Sequence, residues 1–212
     1  MEPYKSPLTV AEVEFTEKKS RFISRVAPVR SEGEALLFLD SVREQHRTAT
    51  HNVYAYRTKN GNICRYSDAG EPSGTAGMPL LDVFVRQEVF DFCCVATRYF
   101  GGVMLGAGGL VRAYSRCGVI ALEASGVGVL HEMAQCSASL PYPLYEIVRR
   151  QLAAYGADVT SEDFGESIVL GFRLPVDDLP KLSCAILEAS SGLVRIVEEG
   201  RSVGVGNCPN FH

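Results

Sequence analysis

Apolar and polar positions alternate with a period of two at Val13 and Phe15 and again at Phe22, Ser24 and Val26, predicting a strand pair joined by the polar turn Glu17 to Ser20. Ser31 followed by Glu34 forms a capping box, and the period lengthens to that of a helix through Ala35, Leu36, Leu39 and Val42, ending near Gln45. Asn52 to Tyr56 and Asn62 to Tyr66 predict a hairpin that turns at Asn60-Gly61. Pro79 suits the first turn of a helix with Leu80, Leu81, Phe84 and Val85 on its apolar side. Phe92 to Ala96 is continuously apolar, the pattern of a strand covered on both faces. A glycine loop follows, then a helix over Leu110 to Glu123 and a strand from Val127.

The remaining pattern is shorter and more regular. A strand near Cys136 to Leu140 precedes a helical stripe of Leu144, Ile147, Val148, Leu152 and Tyr155, closed by Gly156. Two strands follow at Asp158 to Glu162 and Ile168 to Leu174, the latter turning Ile168, Leu170, Phe172 and Leu174 to one face. Asp178 is placed to cap a helix with Pro180 in its first turn, Leu182 and Ile186 inside and Gly192 at its end, and Leu193 to Val197 completes the series. The order β-α-β-β-α-β is ferredoxin-like. It divides the chain into 1–135 and 136–212, an α+β protein of two domains.

The chemistry concentrates where the first unit ends. Between Gly101 and Gly109 there is no Ser, Thr, Asp or Asn to cap the following helix, so its first backbone N–H groups and their partial positive charge are left for an anion. Arg112 and Arg116, spaced i, i+4, can share one face of that helix, and Arg98 precedes the loop. The expected phosphate site is therefore Arg98, Gly101, Gly102, Gly106, Gly108, Gly109, Arg112 and Arg116, with Tyr99 and Phe100 available to stack on bases. Close packing of the helix on the sheet accounts for Gly108 and Gly109 equally well, but gives no reason to gather guanidinium groups.

Charge restricts where such a site can be. Lys and Arg balance Asp and Glu at 15 each over residues 1–135, whereas residues 136–212 carry 6 against 10, so an anion site is local and lies in the first unit. Seven cysteines without a CxxC pair point to reduced thiols, with Cys93 and Cys94 turned to opposite faces of their strand. Cys208 and His212 are two ligands only, so no metal is expected, and no cofactor. No apolar run reaches the roughly 20 residues of a membrane helix, and the first 20 residues are too charged for a signal peptide, giving a cytoplasmic expectation.

A second loop, Ser67 to Pro79, holds Asp68, Glu71, Ser73 and Thr75, which could supply an acid, a ligand or a nucleophile; His51 is the histidine nearest in the chain. The structural alternative makes it a rigid loop in which Asp68 and Glu71 accept backbone N–H bonds and Ser73 or Thr75 caps the next helix. Tyr54, Tyr56 and Tyr66 alternate on the hairpin as a potential stacking platform, His131 and Cys117 read as packing, and Lys18, Lys19, Arg21 and Arg25 as a solvated basic rim.

Ser67-Asp-Ala-Gly-Glu-Pro-Ser-Gly-Thr-Ala-Gly-Met-Pro79, followed by Arg98-Tyr-Phe-Gly-Gly and Leu105-Gly-Ala-Gly-Gly-Leu-Val-Arg-Ala-Tyr114, resembles the IMPACT/YigZ family. Lys18-Lys-Ser-Arg-Phe22 and Tyr142-Pro-Leu-Tyr145 extend the resemblance to its bacterial two-domain form. It implies an N-terminal domain like the fourth domain of elongation factor G and the GHMP kinases, and a ferredoxin-like domain like elongation factor G's fifth. It also implies a link to translation, since eukaryotic relatives bind a partner protein that activates an initiation-factor kinase. Two positions depart from the family: Ala69 stands where many relatives have a second Asp, and Met104 replaces a common basic residue, which weakens phosphate binding. The expected function is a translation-linked protein engaging RNA or ribosomal phosphates without catalysis. The alternatives are an enzyme of a small phosphorylated molecule or nucleotide, although no P-loop lysine is present, and a protein-interaction regulator.

Overall fold

The computed structural model describes residues 1–205, so the Cys208 and His212 pair lies outside the described residues. The chain divides into one unit of Tyr4–Gly128 and a second comprising Met1–Pro3 and the chain from Val129 onward.

The first unit contains β1 (Tyr4–Pro7), β2 (Ala11–Glu17), β3 (Ser20–Pro28), α1 (Glu32–Gln45), β4 (His51–Thr58), β5 (Ile63–Ser67), α2 (Gly77–Arg86), β6 (Phe92–Tyr99) and α3 (Ala107–Ser125). Its main sheet runs β2-β3-β6-β4-β5 and is antiparallel throughout. The β2–β3 hairpin pairs Phe15 with Phe22 as the alternation predicts, and Lys18 and Lys19 take positive φ values of 45° and 66° to make its two-residue turn. The β4–β5 hairpin differs from expectation. Thr58 pairs with Ile63, so the loop is four residues wide instead of turning at Asn60-Gly61 alone. Asp91 accepts the Lys59 N–H at 2.7 Å and the Thr58 hydroxyl donates to the Asn60 carbonyl at 2.9 Å, which hold the wider loop.

Strand β6 is covered on both faces, and its parity sorts the core. Phe92, Cys94 and Ala96 join Phe22, Val26, Val53 and Ala55 under α2 and α3. Cys93 and Val95 join Ala27, Ala35, Leu39 and Val42 on the α1 face, where the Cys93 thiol points at the Ala35 carbonyl. Ser31 caps α1 through the Glu34 N–H at 3.2 Å, and the Glu34 carboxylate reaches the Arg30 N–H at 2.8 Å, one residue beyond a simple capping box. Leu36 and Val85, expected on apolar faces, are exposed: each helix meets the sheet along a narrower stripe than the sequence pattern offers.

The second unit contains β7 (Val127–Leu140), α4 (Tyr145–Ala154), β8 (Asp158–Phe164), β9 (Ile168–Pro175), α5 (Leu179–Ala189) and β10 (Ile196–Val205). The two strands expected after α3 are one, and the position expected to divide the domains lies inside β7. Antiparallel pairing in the order β10-β7-β9-β8, with two intervening helices, is the ferredoxin-like arrangement. Ile168, Leu170, Phe172 and Leu174 meet Val148, Leu152, Leu182 and Ile186 in its core. Asp178 does not cap α5 with its side chain, because a 3-10 turn over Val176–Asp178 runs directly into the helix; the carboxylate pairs with Lys181 Nζ at 3.1 Å. Strand β10 starts three residues later than predicted, since Gly192 at φ 83° and the Leu193-to-Ser190 backbone bond continue the helix exit.

Candidate functional site

The Ser67 to Pro79 segment is organised by Asp68. Its carboxylate accepts the N–H groups of Gly74, Ala76 and Gly77 at 2.9, 3.0 and 2.8 Å and so caps α2 from eight residues before the cap position. Burial opposes its ionisation, but the three bonds outweigh it and hold this carboxyl below the usual carboxylate range. Ser73 is exposed and Thr75 donates its hydroxyl to the Pro72 carbonyl at 2.6 Å, so neither caps the helix. Gly77 is needed for closeness: a Cβ there would lie 2.7 Å from the Ser67 carbonyl carbon.

Glu71, expected to accept backbone bonds, accepts side chains instead. Arg98 Nη1 and the Tyr114 hydroxyl both donate to its Oε1 at 2.7 Å, and Arg98 Nη2 reaches Ser20 Oγ at 3.2 Å. The physical reason is parity on β6. Arg98 has the same parity as Cys94 and Ala96, so its side chain enters the α2–α3 core and requires a buried counter-charge. Burial, then the bond to Glu71, push the Tyr114 phenol well up, keeping it a donor. Opposite Arg98 across the ladder is His51, whose Nδ1 donates to the Ala69 carbonyl at 2.9 Å, because a carbonyl can only accept. Its Nε2 lies 3.9 Å from Glu71 Oε1.

Helix α3 starts at Ala107, three residues before the predicted Leu110, so Gly108 and Gly109 lie in its first turn. Gly106 is its cap residue at φ 74°, with no side-chain cap, and among the described residues the N–H groups of Ala107, Gly108 and Gly109 have no acceptor. This first turn lies between two openings. A cleft of about 360 Å³ is lined by Gly106, Ala107 and Leu110 together with Thr50, His51, Gly70, Glu71, Pro72, Arg98, Phe100, Met104 and Leu105. A separate groove of about 200 Å³ is lined by Phe15, Glu17, Lys18, Leu105, Gly109, Arg112, Ala113 and Arg116.

The structure therefore divides the expected arginine cluster. Arg112 and Arg116 share the groove, neither with a carboxylate partner among the described residues, and Arg116 lies 4.3 Å from the centre of the Phe15 ring. Arg112 reaches back to the helix start, since a Cβ on Gly108 would sit 3.6 Å from its Nη1. Arg98 belongs to the cleft, buried and paired. Tyr99 has the opposite parity and bonds His46 Nδ1 at 2.9 Å on the α1 side, away from both openings. Gly101 meets the β2–β3 turn and donates its N–H to Ser20 Oγ at 3.3 Å; Gly102, at φ 80°, is exposed. The tyrosine platform is partial: Tyr56 is buried, Tyr54 stacks on it with ring centres 6.0 Å apart, and Tyr66 is exposed.

Sequence reasoning missed Glu71 as the partner of Arg98, Tyr114 as its second donor, and the apolar wall of Leu105 and Leu110. An arginine at the end of an apolar strand was the available signal for a buried carboxylate. Among the described residues no three His, Cys, Asp or Glu side chains gather as metal ligands, and no helix is long and apolar enough to cross a membrane.

Residues 18–122 match the Impact N-terminal domain, and residues 139–193 match a domain of unknown function, DUF1949. The IMPACT family member YvyE of Bacillus subtilis (strain 168) is 49% identical over 106 residues, an alignment that spans 50% of this chain and 49% of that protein. An IMPACT family member in the pol 5' region of Thermus thermophilus is 38% identical over 158 residues, 74% of this chain and 86% of that one. A crystal structure described only as that of a hypothetical protein has a TM-score of 0.61 and 28% identity, covering 94% of this chain and 100% of its own.

Proposed function

This chain belongs to the IMPACT family, and we propose that it acts as a translation-linked binding protein which holds phosphates of RNA, on the ribosome or in a structured RNA, with no chemistry of its own. The observation that carries this reading is the start of α3. Among the described residues, three amide hydrogens without acceptors adjoin two arginines without carboxylate partners, and Lys18 lines the same groove. Amide donors and the helix dipole favour an oxyanion, and guanidinium groups hold one in bidentate fashion. Arg98 contributes from behind, by fixing the Glu71 loop.

The test is RNA retention by the full chain across a salt series. Arg112→Glu with Arg116→Glu should abolish retention at moderate salt while the melting temperature stays unchanged, because both side chains are exposed. A double variant that retains RNA as the parent does, at every salt concentration, overturns the reading.

A protein partner in translation control is the second reading, favoured by exposed Phe100, Val103 and Met104 beside the cleft. Capture of partners before and after nuclease treatment separates the two, since an RNA-mediated association disappears with nuclease.

A further inference from the structure

The cleft on the other side of the α3 start is not used by the groove arginines, and its lining is chemically ordered. Within it, Glu71 uses only Oε1 for its bonds to Arg98 and Tyr114, leaving Oε2 without a donor among the described residues, and His51 Nε2 lies beside that carboxylate, 3.9 Å from Oε1. At its rim lie the free amide hydrogens of α3. Between them stand Leu105 and Leu110 and, at the mouth, the half-exposed ring of Phe100, with the Arg98 guanidinium 5.5 Å from its centre. The Arg98 side chain is only 6% exposed, and its Nε is buried without an acceptor among the described residues. Such a group is left incomplete by the protein's own atoms.

We propose that this cleft seats a single nucleotide whose base carries an exocyclic amino group, a deepening that rests on the RNA reading above. The base stacks on Phe100 and turns its amino group toward Glu71 Oε2, while its phosphate meets the amide hydrogens of Ala107 and Gly108. Volume agrees: about 360 Å³ lies within the roughly 300–1,000 Å³ of small-molecule sites. The polarity also agrees, because the buried Glu71 carboxylate offers an acceptor for an amino group and the exposed start of α3 offers donors for an oxyanion. An aromatic ring backed by a cation is a stacking surface for any base, so the acceptor sets the choice among bases.

Isothermal titration of the full chain with AMP, UMP, adenosine and inorganic phosphate tests this directly. AMP should bind at least tenfold more tightly than each of the other three, and Phe100→Ala, at a half-exposed position, should weaken AMP about tenfold while Phe100→Tyr retains it. AMP binding no tighter than UMP or phosphate, or unchanged in Phe100→Ala, overturns the assignment. If RNA retention survives and AMP fails, the cleft assignment alone is wrong; if AMP binds and RNA is not retained, the RNA reading alone is wrong.

Discussion

The Arg98 guanidinium lies 2.7 Å from the Glu71 carboxylate, with only 6% and 3% of the two side chains exposed. Glu71 comes from a loop and Arg98 from the central strand, so this one pair fixes the loop's height above the sheet and with it one wall of the cleft. Buried pairs of this kind set position more than they add stability, because desolvation offsets most of the attraction.

Removing one member should therefore be worse than removing both. Glu71→Ala is expected to cost about 3–5 kcal/mol in urea unfolding, since it strands a buried guanidinium, whereas Glu71→Leu combined with Arg98→Met should recover much of that loss. Equal losses in the single and double variants would show that the pair is not the determinant.

Asp68 should make stability depend on acidity. Its folded-state pKa is depressed, so its contribution is fully present above the unfolded value of about 3.9 and disappears as pH falls through the folded value. Asp68→Ala is expected to lose about 1–2 kcal/mol at pH 7, as for other helix caps, and the difference from the parent should narrow as pH drops below about 4. A gap that stays constant to pH 2 would rule out the capping carboxylate as its source.

Gly101 and Gly102 should respond differently to the same methyl group. At Gly101 a Cβ would fall 1.9 Å from the Lys19 carbonyl oxygen, which is backbone and cannot swing aside. At Gly102 nothing lies within 4 Å, and only the positive φ of 80° resists substitution. Gly102→Ala should cost about 1 kcal/mol from its backbone conformation, and Gly101→Ala more, with the damage read as chemical-shift changes in the β2–β3 turn.

The thiols divide by burial. Cys93, Cys94, Cys117 and Cys136 are buried and burial pushes each thiol up, Cys136 to about 11 and Cys94 to about 12, while Cys64 and Cys184 are exposed. Iodoacetamide at pH 8 should label Cys64 and Cys184 within minutes and the four buried thiols only on unfolding, as peptide mapping would show.

Much of this was legible because local periodicity and core parity agree. The continuous apolar run at Phe92 to Ala96 identified the strand between two cores, and the absent cap between Gly101 and Gly109 identified the open helix start. Where long-range partners decide, the sequence was silent. Nothing near Ala76 says that Asp68 will cap its helix, and nothing near Asn60 says that Asp91 will widen the hairpin loop. The arginines show the same limit: Arg112 and Arg116 share a groove because helix spacing is local, but Arg98 parts from them because strand parity turns it toward Glu71.

The bare beginning of α3 also has a consequence for motion. A glycine cap forgoes only a few tenths of a kcal/mol, but it leaves the first-turn amides without an intramolecular acceptor, so hydrogen exchange there should be fast while the rest of the helix is protected. Whatever docks on those amides supplies the missing acceptor. Occupancy would then register as slowed exchange at Ala107 and Gly108, making the first turn its own reporter of whether the protein is loaded.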